Sequence, residues 1–196
     1  METLQPESQP EVQGAPAETT DWKRFVFDML ETIGLALVLF VIINSVSARV
    51  RVDGFSMLPT LHDGEFVLVN KLAYRLGAPT RGDIIVFRST TTPDLDLIKR
   101  VVGLPDDQIN IGNGQVAVNG QILNESYINA EPNYRGNWQV PAGYLFVLGD
   151  NRNDSSDSHA WGFLPIQNVI GKALLIYWPP PEWAMIDHVQ IVVAAP

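Results

Sequence analysis

The sequence contains no cysteine and only three histidines, His62, His159 and His188. The absence of cysteine excludes thiol catalysis, CxxC redox chemistry, zinc–thiolate sites and disulfide bonds. Three scattered histidines do not provide the cluster that a histidine-rich metal site requires. We therefore expect neither a metal ion nor another cofactor.

Basic residues are also scarce, with 13 Lys and Arg against 22 Asp and Glu and a net charge of −9. Binding to a phosphate backbone requires a basic face, so no nucleic-acid partner is expected. The first 20 residues lack aromatic side chains and are rich in Pro, Gln and Glu. Such a segment buries too little apolar surface to offset the entropy lost on ordering, and we predict a disordered tail over residues 1–21.

The one long apolar run covers residues 25–46, and no side chain is charged over residues 32–48. These 17 uncharged residues lie near the lower limit for a membrane-spanning helix, and Trp22 is suited to an interfacial anchor. The alternatives are a buried helix of a soluble protein and a cleavable signal peptide that ends at Val-Ser-Ala, residues 46–48. We favour an uncleaved transmembrane anchor over residues 22–48.

The charges that flank this run do not establish its orientation. Lys23 and Arg24 precede the run, and Arg49 and Arg51 follow it closely. The positive-inside rule compares Lys and Arg on the two sides of a membrane helix, and here the two sides are balanced.

From residue 50 onward the sequence has no long amphipathic helical pattern. Short runs of β-branched and aromatic residues alternate with turn signals instead. The strongest of these signals is Asn119-Gly120, which separates two apolar runs and predicts a β-hairpin. Strands are predicted over residues 66–69, 83–87, 97–102, 115–118, 121–123, 144–148 and 169–178. The sequence therefore predicts an all-β domain over residues 49–196, with the apolar run at 189–193 left unassigned.

Ser56 lies in a constrained stretch, Gly-Phe-Ser-Met-Leu-Pro-Thr-Leu at residues 54–61, shortly after the apolar run. Pro59 fixes its own φ and restricts the residue before it. Gly54 can adopt a positive φ or permit a close approach of the backbone. A serine held in this way is a candidate nucleophile at a membrane surface, and the alternative is an ordinary turn serine.

A second stretch, Ile-Lys-Arg-Val-Val-Gly-Leu-Pro at residues 98–105, places two adjacent cations in an apolar strand. Strand side chains alternate, so Lys99 and Arg100 point to opposite faces, both of them apolar. Burial lowers the pKa of a lysine, and a neutral lysine can remove the proton of a serine hydroxyl. Arg100 keeps its charge and requires a carboxylate. The alternative for Lys99 is a snorkelling side chain at a strand end.

A third stretch, residues 149–159, is dense in Asp, Asn and Ser. It can supply a hydroxyl to orient Lys99 and acids to pair with Arg100. The alternatives are a polar loop held by Asx and Ser turns and a calcium loop, although the residue order does not fit an EF-hand. The sequence has no second glycine for a nucleophile elbow at Ser56 and no Ser-x-x-Lys motif, and spacing leaves a Ser-His-Asp triad open.

Three separated blocks, residues 54–61, 98–105 and 149–158, match one family in order, behind an N-terminal apolar segment. The chain resembles the bacterial type I signal peptidases, membrane-anchored Ser-Lys endopeptidases of preprotein export. The resemblance extends from about Trp22 to Pro165. It implies a signal-peptidase-like all-β catalytic domain with a single N-terminal transmembrane α-helix. It also implies a cytoplasmic tail and a catalytic domain on the outer face of the plasma membrane.

The resemblance further implies roles for individual residues. Ser56 would be the nucleophile, Lys99 the general base, and Ser155 a hydrogen-bond partner of the lysine. The backbone N–H of Ser56 would form the oxyanion hole, and Gly54 stands where some members have a serine that adds a second donor. Three structural charges would surround the site: Arg100, Asp150 and Asp157.

The chain departs from the family pattern at three places. Asp106 stands where a glycine usually follows the Leu-Pro pair, and Asn153-Asp154 reverses the usual order. His159 replaces the arginine that is common two residues after Asp157, so an ion pair at this place would depend on pH or be absent. None of these changes removes the serine or the lysine.

The substrates implied by the resemblance are preproteins with Ala-x-Ala-like cleavage sites, bound in extended form, and membrane lipid is an expected partner. One competing function is a Ser-Lys self-cleaving regulator, which the apolar run and the missing N-terminal DNA-binding helices disfavour. The other is a catalytically inactive, membrane-anchored β-domain that acts as a binding or assembly module. Residues 46–48 themselves resemble a cleavage site, which raises the hypothesis of self-cleavage there.

Overall fold

The computed structural model describes residues 22–92 and 94–189. The tail predicted over residues 1–21 lies outside this part of the chain, as does all but the first residue of the apolar run 189–193. The chain divides into two units, residues 1–41 and 42–196. The second unit contains every residue that the sequence indicates for chemistry.

The apolar run forms one helix, α1, at Trp22–Val46. It is long and apolar enough to cross a membrane, and none of its residues is buried, whereas a core helix of a soluble protein would be covered. The helix ends two residues before the predicted boundary at residue 48, because Ser47 begins strand β1 (Ser47–Arg51). Since Ser47 and Ala48 pair with Asn70 and Val69, self-cleavage after Ala48 would require β1 to detach first.

The remainder of the described chain consists of strands, turns and three short helices. The further strands are β2 Phe66–Asn70, β3 Ile84–Arg88, β4 Asp96–Gly103, β5 Gln108–Gly112, β6 Gln115–Val118, β7 Gln121–Ile122, β8 Gly136–Gln139, β9 Tyr144–Leu148, β10 Leu164–Pro165, β11 Val169–Trp178 and β12 Ala184–Met185. The helices are α2 Ser158–Trp161 and two 3-10 turns, Ile166–Asn168 and Pro180–Glu182. The predicted all-β domain behind a single N-terminal helix is thus confirmed.

The strands form two antiparallel sheets. The larger sheet has the order β1-β2-β11-β3-β4-β9-β10, with β12 paired to β11. The smaller sheet has the order β7-β6-β5-β8. The predicted hairpin is the β6–β7 connection, where Asn119 and Gly120 have φ values of 52° and 81°, as a type I′ turn requires.

Strand β4 occupies the middle of the larger sheet, between β3 and β9. Its residues are buried from Ile98 to Gly103, because apolar clusters cover both faces: Val101 packs with Phe87, and Val102 with Phe146. Lys99 and Arg100 are therefore held in the interior of the domain, and a snorkelling lysine at a strand end is not what the structure contains.

Candidate active site

The loop that carries Ser56 connects β1 to β2 and is fixed at both ends. Its base is closed by hydrogen bonds from Val52 N–H to the Glu65 carbonyl, 2.8 Å, and from Gly64 N–H to the Val52 carbonyl, 3.0 Å. Met57 is buried in the core below the loop. Gly54 has a φ of +95°, a conformation that side chains with a Cβ adopt at a cost. Ser56 is consequently presented on a constrained turn and is only partly buried.

Lys99 reaches Ser56 from strand β4. Its Nζ donates hydrogen bonds to Ser56 Oγ at 2.7 Å and to the Ile98 carbonyl at 3.0 Å. The side chain is buried, with 3% of the residue exposed. The two residues, 43 positions apart in the chain, thus form a hydrogen-bonded pair of the kind required for a nucleophile and its base.

Burial of Lys99 makes its neutral amine easier to form than that of a lysine in water. Burial lowers its pKa to about 8, while the negative charges of Asp157 and Asp150 act in the opposite direction. Desolvation dominates because an ammonium ion in the interior loses its hydration. A lysine with this pKa can take a proton from a hydroxyl near neutral pH, as a general base must.

Arg100 points to the other side of β4 and forms a buried ion pair. Its Nε and Nη2 donate to Asp150 Oδ1 and Oδ2 at 2.8 and 2.7 Å, and its Nη1 donates to the Gly82 carbonyl at 2.9 Å. Thr60, in the Ser56 loop, donates to Asp150 Oδ2 at 2.5 Å. Asp150 therefore connects the strand that carries the lysine to the loop that carries the serine.

The loop that begins at Gly149 packs directly against the loop that carries Ser56. Asn151 N–H donates to the Ser56 carbonyl at 3.0 Å, and Asn151 Nδ2 donates to the Phe55 carbonyl at 3.1 Å. A Cβ at Gly149 would lie 2.4 Å from the Ser56 carbonyl oxygen, so only glycine permits this approach. Asp157 Oδ2 accepts the Gly149 N–H at 2.9 Å and holds the start of the loop.

This arrangement coincides with clear similarity to known proteins. The family model described as signal peptidase, peptidase S26, matches residues 26–178, which is more than half of the chain. The chain belongs to the signal peptidase family. Two curated relatives cover most of it: a signal peptidase I of Leptolyngbya laminosa is 45% identical over 76% of this chain and 78% of its own. A probable signal peptidase I-1 of Synechocystis is 40% identical over 87% and 92%.

A solved signal peptidase I from Enterococcus faecalis is 31% identical and superposes with a TM-score of 0.45 over 48% of this chain and 95% of that one. Family membership itself rests on the family model and the relatives. As a member of the family, the chain is a serine peptidase of the signal peptidase I type, which confirms the activity expected from the sequence. Neither the family model nor the relatives support an inactive binding module.

In this signal peptidase, Ser155 lies at the site without the expected hydrogen bond to the lysine. Its Oγ is buried and has no hydrogen-bond partner among the described residues. The donors of Lys99 are directed to Ser56 and the Ile98 carbonyl instead. Ser155 is nevertheless next to the Ser56 loop, since a Cβ at Gly149 would touch both Ser155 Oγ and the Ser56 carbonyl.

His159 contacts Asp157 at the place where an arginine is common in the family, and the contact is an ion pair only when the imidazole is protonated. Its Nδ1 lies 2.7 Å from Asp157 Oδ1, and its backbone N–H donates to the same oxygen at 3.2 Å, so Asp157 caps α2. No group of three or more His, Cys, Asp and Glu side chains within residues 22–92 and 94–189 is arranged to hold a metal ion.

A second buried ion pair supports the signal peptidase site and was not predicted. Arg152 donates from Nη1 and Nη2 to Glu125 at 2.8 and 2.7 Å, and from Nε to the Gly149 carbonyl at 3.1 Å. The ring of Tyr127 lies 4.1 Å below the Arg100 guanidinium and accepts a hydrogen bond from Arg152 through its hydroxyl, 3.2 Å. The smaller sheet and its connecting loop thereby brace the 149–157 loop.

Proposed function

We propose that Ser56 and Lys99 carry out the removal of signal peptides, Ser56 as the nucleophile and Lys99 as its general base. The observation that supports this assignment is the 2.7 Å hydrogen bond between a deeply buried lysine amine and the serine hydroxyl. Burial of an ammonium ion is costly. The rest of the fold must therefore stabilise a lysine that is buried beside a serine. The same fold lowers the pKa of the lysine to about 8.

The reaction would proceed through an acyl-enzyme. Neutral Lys99 takes the Ser56 proton as Oγ attacks the carbonyl carbon at the cleavage site. The protonated lysine then gives that proton to the leaving amine of the mature protein, and the signal peptide remains on Oγ as an ester. Lys99 next removes a proton from the attacking water, and the ester breaks to release the signal peptide and restore the Ser56 hydroxyl.

The oxyanion of each tetrahedral intermediate would be bound by the backbone N–H of Ser56. This N–H has no hydrogen-bond partner in the described part of the chain, so it is available to a ligand. Gly54 offers no side-chain donor, and its own N–H is already bonded to Asp63 Oδ1 at 2.8 Å. Backbone donors fixed in place stabilise developing charge effectively because they need not reorganise during the reaction.

The pKa of Lys99 predicts how activity depends on pH. Below pH 8 the lysine is mostly protonated and cannot act as a base; at pH 7 only about a tenth of the molecules carry the neutral amine. We expect kcat/KM to rise about tenfold per pH unit below pH 7 and to level off above about pH 9. The measurement is cleavage of a signal-peptide substrate by the full chain from pH 5.5 to 10. A profile without this rise would contradict Lys99 as the base.

Ser155 is expected to orient Lys99 during the reaction. A buried hydroxyl without a partner costs about 1–3 kcal/mol, so rotation of Oγ towards the amine would be favourable once Ser56 has become acylated. We expect Ser155→Ala to lower kcat about tenfold or more and to leave the melting temperature unchanged or raise it, because the variant no longer buries an unpaired hydroxyl. Ser156→Ala, an exposed neighbour, is the matched control and should change neither. Equal losses of kcat and of stability in Ser155→Ala would make Ser155 a structural residue.

The substrate class follows from the relatives, whose names describe signal peptidases. The specific expectation is an extended preprotein segment with small residues at the first and third positions before the cut. The test is incubation of the full chain in detergent–lipid micelles with a preprotein that carries an Ala-x-Ala site, followed by sequencing of the new N terminus. Cleavage after the second Ala, and its loss when either Ala is replaced by Trp, is expected. Cleavage that ignores these changes would overturn the Ala-x-Ala preference.

The proposed location of the protein is the plasma membrane, with α1 as a single-pass anchor and the catalytic domain on the outer face. Lipid contact is supported by α1 and by a shallow apolar groove of about 390 Å³ beside Leu175, Trp183 and Met185. Trp183 and Met185 are largely exposed, and aromatic side chains favour membrane interfaces. Protease added outside spheroplasts should degrade the catalytic domain; protection there with digestion only after lysis would reverse the orientation.

A further inference from the structure

Two carboxylates act on Lys99, and their charges are balanced in different ways. Asp150 and Asp157 are both fully buried and both favour the protonated lysine. Asp150 accepts two hydrogen bonds from Arg100, a side chain that remains cationic at every pH of interest. Among the described residues, the only ionisable side chain paired with Asp157 is His159. The charge on Asp157 is therefore matched only when this imidazole is protonated.

The geometry indicates how the imidazole meets the carboxylate. A carboxylate can only accept hydrogen bonds, so His159 Nδ1 carries the proton that it shares with Asp157 Oδ1 at 2.7 Å. The other nitrogen, Nε2, has no partner among the described residues, and the side chain is 23% exposed. A second proton can therefore reach Nε2 from solvent without breaking the contact with Asp157.

The other groups near His159 are neutral or already paired, so Asp157 is the charged group that the imidazole can neutralise. The imidazole stacks on the Tyr134 ring, with centroids 4.0 Å apart and an angle of 15°. Burial raises the pKa of Tyr134, so it stays a neutral phenol. Arg152 and Glu125 also act on Tyr134, but they are paired with each other through two hydrogen bonds.

We propose that His159 is a positioning residue of the catalytic pair, which controls the charge felt by Lys99 through Asp157. The neutral imidazole orients Asp157 but leaves its negative charge unmatched, and the protonated imidazole matches it. This inference depends on the proposed role of Lys99 as general base. A neutral imidazole therefore leaves Asp157 to act on Lys99 as an unbalanced anion, which favours the protonated amine. The enzyme consequently becomes active at a higher pH than one with a permanent cation at residue 159.

The test compares the pH dependence of kcat/KM for the full chain, His159→Arg and His159→Gln with one signal-peptide substrate. An arginine neutralises Asp157 at every pH, so we expect its rising limb to move to lower pH by about half a unit or more. At pH 7.5 this is about a twofold gain in kcat/KM relative to the variant's own maximum. Glutamine can donate to Asp157 but carries no charge, and at pH 7.5 and above its rising limb should coincide with that of the unmodified chain.

The outcomes separate this inference from the function on which it rests. Rising limbs that coincide for Arg and Gln variants, with normal melting temperatures, would overturn the inference while leaving Lys99 as the base. A purely structural role of His159 would lower the maximum rate in both variants without moving either limb, and it would also overturn the inference. If the unmodified chain shows no lysine-like limb, the proposed function itself fails. His159→Lys replaces His159→Arg in this comparison if the arginine variant melts early.

Discussion

Lys99→Met is expected to abolish cleavage and at the same time to make the protein more stable at neutral pH. Loss of the general base should lower kcat by about 10⁴-fold or more, as happens when one member of a nucleophile–base pair is removed. Methionine fills a similar volume in the interior and carries no charge that must be desolvated. Activity and stability should therefore change in opposite directions.

The sign of the stability change follows from the lysine pKa. Folding lowers the pKa of Lys99 from 10.5 to about 8, so burial of its charge opposes folding by up to about 3 kcal/mol. This cost is fully present below pH 8, where the lysine is charged in both states, and disappears as pH rises from about 8 to 10.5. The stability gain of Lys99→Met should accordingly be largest near pH 6.5 and vanish by about pH 10.5, with the lost hydrogen bond to Ser56 reducing it.

Melting temperatures of the two proteins in detergent micelles at pH 6.5 and pH 10.5 measure this difference. Lys172→Met is the matched control, because Lys172 donates to the buried Asp83 carboxylate at 2.5 Å. Its removal leaves that acid without its cation and should lower stability by about 1–3 kcal/mol. A Lys99→Met protein that is inactive and also less stable at pH 6.5 would identify Lys99 as a structural residue.

Asp150→Asn is expected to produce the largest loss of stability. The change leaves the Arg100 guanidinium charged and fully buried without the carboxylate that accepts two of its hydrogen bonds. Breaking a buried ion pair by removing one partner costs about 3–5 kcal/mol, which corresponds to a fall in melting temperature of about 6–20 °C for a domain of this size. Cleavage should also fall, because asparagine has one acceptor oxygen where Arg100 and Thr60 together use both carboxylate oxygens.

Asp106→Asn provides the control with the same chemical change. Asp106 is exposed, and asparagine tolerates its φ of 68°, so its melting temperature should change by no more than about 2 °C. If Asp150→Asn behaves like Asp106→Asn, the Arg100–Asp150 pair does not hold the site together.

The contact between Ser56 and Lys99 could be predicted from the sequence because each residue lies in its own short constrained segment and both segments match the family pattern. Pro59 and Gly54 mark the turn that holds Ser56, and two adjacent cations in an apolar strand mark Lys99. The fold then brings together segments that are 43 residues apart. The absence of a hydrogen bond between Ser155 and Lys99 could not be predicted from the sequence. The direction of a hydroxyl depends on the packing around Gly149, which no local sequence pattern encodes.

The Glu125–Arg152 pair could not be predicted for a different reason. A buried arginine needs a carboxylate, but the chain offers 22 acids, and Glu125 is distinguished by its place on the smaller sheet's loop rather than by a motif. Among the unpredicted strands, β5 had a usable signal, since Ile109 and Ile111 alternate with polar residues. Strand β8, Gly-Asn-Trp-Gln, has no such pattern and is defined by its pairing with β5.

The most direct test of the proposed mechanism is whether Ser56 becomes acylated. The full chain in micelles is mixed with less than one equivalent of preprotein, and the reaction is stopped with acid within one turnover. The protein is then digested, and the mass of the peptide that contains Ser56 is measured by mass spectrometry. We expect a fraction of that peptide to carry the signal peptide as an ester, and none in Ser56→Ala, which should not cleave at all. Cleavage by Ser56→Ala, or an ester on another residue, would contradict this mechanism.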